Sequence, residues 1–147
     1  METAREVLRQ LWEGDDFTPP VKLLSNISAP AAVTLLPNTP YSIATNVAHA
    51  DIWQRLWLCR LQGKPKFNPF PDFPVVEAAD WASVRESFLE NFQLALNLAR
   101  AEPCVALAKS HDMATKLFIK IAVHNAYHVG QVALLKRILR SSKHNKA

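Results

Sequence analysis

Glycine is scarce in this chain of 147 residues: three occur, at positions 14, 63 and 130. That scarcity argues against a turn-rich all-β fold. Cysteine is scarcer still. Cys59 and Cys104 stand alone, with no C-x-x-C pair, so neither a disulfide framework nor a cysteine-based structural zinc knuckle is expected, and the two read as reduced thiols of a cytoplasmic protein. No run of about 18 apolar residues offers a membrane span. The opening "METAREVLRQ" is charged and lacks the apolar core of a signal peptide, so export is not expected. Carboxylates are missing from residues 113–147, which hold seven lysines and arginines; against +4 for the whole chain, the remainder carries −3. No aromatic residue is interleaved with the basic cluster from Lys136 onward to stack bases, so nucleic-acid binding is not expected. The cluster reads as the solvated end of a helix, its cations suited to the negative end of the macrodipole, with about 141–147 a frayed tail.

Hydrophobic content of 49% with 20% charged residues fits a single domain, 1–147, large enough to bury its own core. Four helical segments stand out. The first opens with Thr3-Ala-Arg-Glu6, a capping-box pattern, and carries Val7, Leu8, Leu11 and Trp12 at helical spacing before Gly14 and Pro19-Pro20 stop it. Residues 21–40 are cut by Pro30, Pro37 and Pro40 and allow only short helical turns. A second helix runs from about Ser42, an N-cap, to Gly63, a terminator. The stretch "KPKFNPFPDFPVVEAAD" then reads as a long crossover pinned by Phe67, Phe70 and Phe73. A third helix starts near Asp80 and presents Val84, Phe88, Phe92, Ala95, Leu96 and Ala99 on one side. After Pro103 and a shorter segment, "CVALAKSHDM", the fourth runs from about Thr115 to Leu139. The sum is an all-α four-helix bundle with a long crossover connection and short extra helical turns.

The fourth helix carries the chemistry. In steps of three and four it reads Leu117, Ile121, His124, His128, Val132, Leu135, Leu139, aliphatic except for two imidazoles one turn apart on one face. That spacing lets both rings reach one ion, though a hydrogen-bonded histidine pair reads as well from this helix alone. The second helix tips the balance: Thr45, Ala48, His49, Ile52, Leu56, Cys59 is an inward stripe with a third imidazole. Three such rings in one core need partners, and a divalent cation satisfies all three. Asn125 after His124 rules out H-E-x-x-H and its general base. Three neutral ligands leave coordination positions free for water or substrate. Asn46 and Gln131 can hydrogen-bond the outer imidazole nitrogens; Tyr127 can place its hydroxyl at the mouth, but its ring is rather expected to pack against the neighbouring helix. Gly130 leaves room for the second helix or a dimer partner, and Trp53 and Trp57 flank the His49 stripe as core or interface. His111, in an expected loop, and His144, in the tail, receive no role.

"YSIATNVAHADIW" followed by "IAVHNAYHVGQVALLKRIL" resembles the DinB-like superfamily, the DinB/YfiT group of metal-binding four-helix bundles. The resemblance covers most of the chain, and its second motif, H-N-x-Y-H-x-G-Q, is the specific one. It implies that His49, His124 and His128 hold one divalent ion, zinc or nickel, in a homodimer. It further implies a thiol S-transferase acting on a small electrophile with a low-molecular-weight thiol such as bacillithiol or mycothiol. Two alternatives stand beside that one: a hydrolase that turns the ion on water, and a non-catalytic, metal-stabilised interaction module.

Overall fold

The computed structural model describes residues 1–101 and 108–145. They are all-helical: α1 (Glu2–Glu13), α2 (Pro20–Ser25), α3 (Ala29–Val33), α4 (Ile43–Leu61), a 3-10 turn at Ala78–Asp80, α5 (Trp81–Arg100) and α6 (His111–His144), with no strand among the described residues. The segment expected around Pro103 and Cys104 lies largely outside them. Cys59, half-buried, is a free thiol.

Local chemistry sets several helix ends. Ser42 caps α4 by accepting the Thr45 N–H at 3.1 Å, and Gly14 ends α1 in the left-handed conformation at φ 69°, which glycine adopts without steric cost. Two expectations need correction. α1 begins at Glu2 with Met1 as its cap and no side-chain capping bond, so Thr3-Ala-Arg-Glu6 is not a capping box. Glu6 instead pairs with Arg9 and Gln10 on the exposed face. The fourth long helix extends beyond Thr115–Leu139 at both ends. Ser110 caps it through the Met113 N–H at 3.0 Å, so His111 is its first residue rather than part of a loop. It continues to His144 through the segment expected to fray. Both terminal histidines are exposed.

α4 packs on both α5 and α6, and α1 closes the other side of the same pair. One core joins all four long helices: Leu8 and Leu11 of α1, Val47 and Leu58 of α4, Phe88 and Phe92 of α5, and Phe118 and Ile121 of α6. Trp12 adds a stacked contact on Phe92, with centroids 5.0 Å apart. α4 is the central rod, buried around most of its circumference, polar positions Asp51 and Gln54 included. A buried helix keeps polar side chains only where they find partners. Here Gln54 donates to Asp51 at 2.9 Å and to the Phe88 carbonyl at 2.8 Å. Ser87 and Asn91 of α5 donate to the same carboxylate, and Asn125 of α6 donates to Gln54 at 2.9 Å. This network ties α4, α5 and α6 in one register.

The crossover between α4 and the 3-10 turn lies along α4. Phe73 and Phe67 anchor it as expected, Phe73 on His49 and Phe67 beneath the Arg55 guanidinium at 5.3 Å. Phe70 does not: it is 66% exposed.

Candidate metal centre

Helical period alone brings His124 and His128 to one face of α6, with ring centroids 4.5 Å apart. Packing of α4 on α6 delivers the third ring: His49 lies 5.2 Å from His124 and 4.6 Å from His128, centroid to centroid. One ring nitrogen from each can be chosen so that all three lie within 4.8 Å of one another. Three nitrogens evenly placed around one ion at about 2.1 Å are at most about 3.6 Å apart, so side-chain rotations that move ring nitrogens by about an ångström close the set from that limit. His49 and His128 are buried, and His124 is half-buried.

The outer nitrogens decide which atoms face inward. His49 Nδ1 is 2.7 Å from the Asp72 carbonyl oxygen and 3.0 Å from Asp72 Oδ1. Both are acceptors, so Nδ1 carries the proton and Nε2 keeps its lone pair. His128 Nδ1 sits 3.0 Å from Gln131 Oε1 and 3.3 Å from Asn46 Oδ1. The Asn46 amide nitrogen is committed to the Ser42 carbonyl at 3.1 Å, which turns its oxygen toward the imidazole. Two of the three rings thus have a fixed tautomer, the arrangement that presents imidazole to a metal. His124 Nδ1, by contrast, is buried without a hydrogen-bond partner among the described residues. A buried ring nitrogen left unpaired costs about 1–3 kcal/mol, and Nδ1 is one of the two nitrogens through which this ring could ligate a cation.

Burial, reinforced by the neighbouring imidazoles, lowers His124 from 6.5 to about 4. His128 falls to about 4 for the same first reason, with His49 the next contributor. Both rings are therefore neutral at pH 7, with no proton to displace before they ligate.

A cavity of about 240 Å³ adjoins the triad, lined by the three histidines with Tyr41, Phe73, Tyr127 and Gln131. Tyr41 and Phe73 stack at 4.2 Å and 7°, and Phe73 stacks on His49 at 3.9 Å and 3°, so one wall is an aromatic column. Tyr127 stands at the mouth, 64% exposed, edge-on to His128; it does not pack on a neighbouring helix. Asn46 and Gln131 both serve His128. Trp57 meets His124 edge-on at 5.1 Å, and Trp53 donates to Asp72 Oδ1 at 2.6 Å. Gly130 has no atom near the position a Cβ would take, so no close approach of the second helix requires it. His111 and His144 stay apart from the site at opposite ends of α6.

Reading helical faces missed Asp72, Phe73 and Tyr41 as parts of the site. Asp72 brings a carboxylate beside the triad, although it touches His49 from behind and does not line the cavity. It carried a signal: it is the sole carboxylate between Asp51 and Glu77, set inside the proline-rich crossover. Comparison of the chain with protein-family models, characterised proteins and solved structures gives no match.

Proposed function

We propose that His49, His124 and His128 hold one divalent metal ion, zinc or nickel, and that the chain is a DinB-like four-helix bundle working as a metal-dependent thiol S-transferase on a small electrophile. The observation that carries the metal is the unpaired His124 nitrogen beside two imidazoles whose outer nitrogens are already anchored. When bound, the cation supplies Lewis acidity that holds a thiol as thiolate at neutral pH. The chain's own residues do the rest. Asp72 holds His49, and Asn46 and Gln131 hold His128, in the ligating tautomer. The Tyr41–Phe73 column keeps water from one side of the cavity. Tyr127 and Gln131 offer hydrogen-bonding groups at its mouth to orient a polar substrate.

Hydrolysis is the second reading. It needs a general base, and among the described residues no carboxylate lines the cavity, while Asp72 is engaged by His49 and Trp53. That favours the transferase. A metal-stabilised interaction module is the third reading, and the homodimer belongs to the same proposal as the low-molecular-weight thiol. Elemental analysis of purified protein should find about one zinc or nickel per chain, against none in His124→Ala. Thiol-dependent consumption of a chloronitrobenzene should then require the metal-loaded native protein. Equal rates from native protein and a folded His124→Ala variant would remove the transferase. Sedimentation equilibrium reads the dimer.

A further inference from the structure

A second feature, rich in lysine and arginine, lies away from the histidines. A cleft of about 590 Å³ opens between α6 and the segment joining α1 to α2, a size typical of sites for drug-sized molecules. Its apolar surface comes from Leu23, Val129 and Ala133, with Phe17 at the lip, 48% exposed. Lys22, Lys136, Arg137 and Arg140 also line it, against one carboxylate, Asp16. None of the four cations has an ion-pair partner among the described residues. The contrast with Arg9 is informative, since that side chain is held by Glu6, Glu13 and Asp15. Lys136 is positioned as well as charged: its ammonium donates to the Leu23 carbonyl at 2.8 Å, on the opposite wall. Burial, with Arg140 adding to it, lowers the Lys136 pKa, the direction expected of a cation lacking a counter-charge.

We propose that this cleft binds a small organic anion, an apolar ring-sized body carrying one phosphate or carboxylate, with the apolar part on Val129 and Ala133 and the charge among Lys22, Lys136, Arg137 and Arg140. The basic end of the chain is then a binding rim rather than only a solvated helix end. Clustered like charges over a low-dielectric wall focus the field on an incoming anion, and the apolar floor selects against a bare inorganic ion.

Isothermal titration with 1-naphthyl phosphate, 1-naphthol and inorganic phosphate separates the two contributions. Saturable one-site binding of the ester is expected, at least about tenfold tighter than either control, the equivalent of one charge-assisted contact, and weakening as salt is raised. Lys22→Ala with Arg140→Ala should lose about tenfold for the ester and leave naphthol unchanged. Ala133→Trp should block both; because it alters a half-buried position, the exposed charge pair decides if that variant does not fold. His124→Ala should bind the ester as native protein does, which separates this cleft from the metal centre. Naphthol or phosphate alone binding as tightly as the ester would overturn the proposal. So would native affinity in the charge variant, or loss of binding in His124→Ala.

Discussion

His124 Nδ1 is buried with no hydrogen-bond partner among the described residues, and the value of that atom to the protein depends on what sits beside it. Removing it should cost the metal-free fold little, since an unpaired buried nitrogen contributes no hydrogen bond. The same substitution should abolish stoichiometric zinc binding. Asp72 acts one step further out. Asp72→Ala leaves the backbone carbonyl on His49 but removes the carboxylate that His49 and Trp53 share, and zinc affinity should drop about 10-fold or more, measurable by competition with a chromogenic chelator. A loss no larger than that of a distant surface variant such as Glu86→Ala would assign Asp72 a role in the crossover alone. Proton linkage gives a separate check. The unfolded chain protonates its histidines from about 6.5 downward, whereas folded His124 and His128 protonate only near 4, held down first by burial. The unfolded state therefore binds more protons between those values. The contribution of these two rings to the stability of metal-free protein should shrink as pH falls from about 6.5 to about 4 and stay constant below that. Urea midpoints across that range should fall less steeply in His124→Leu/His128→Leu.

At the scale of elements, two stops and one cross-link matter most. Gly14 holds a left-handed backbone, and a Cβ there would run into the Phe17 carbonyl and the Pro19 backbone. Gly14→Ala should destabilise by at least about 1 kcal/mol, read as a lowered urea midpoint. Gln54 is fully buried and bonds Asp51, the Phe88 carbonyl and Asn125 at once. Gln54→Leu strands several of those groups and should cost about 3 kcal/mol, more than Asn91→Ala at the half-buried edge of the same network. The periodic positions of α5 and α6 were legible beforehand because each helix buries a defined stripe. On α4 that rule is weaker, because helices and the crossover surround it. Thr45, Ala48 and His49 are buried as expected, while Ile52, Leu56 and Cys59 are half-buried and Asp51 and Gln54 sit deeper. No hydrophobic pattern announces a carboxylate that enters the core because α5 brings it partners.

For the whole molecule, the proposed ion would couple the stability of the bundle to the metal centre. If one ion bridges α4 and α6, chelation should lower the melting temperature, because a ligand that binds only the folded state adds its binding free energy to stability. Calorimetry with and without EDTA measures this, and the shift should vanish in His49→Ala. No helix among the described residues is long and apolar enough to cross a membrane.

The sequence by itself determined the helices and many of their ends: serine and glycine act on their own backbone within one turn, and periodicity is a property of each rod. It also placed His49, His124 and His128 on inward faces, because their neighbours at helical spacing are apolar. Tertiary structure alone decided the rest. The Asp72 support of His49 spans 23 residues and the Gln54–Asn125 bond spans 71, and the basic cleft needs the α1–α2 segment laid across α6. Such juxtapositions depend on how the rods dock, a free energy summed over the whole core, and no local stretch of chain encodes them.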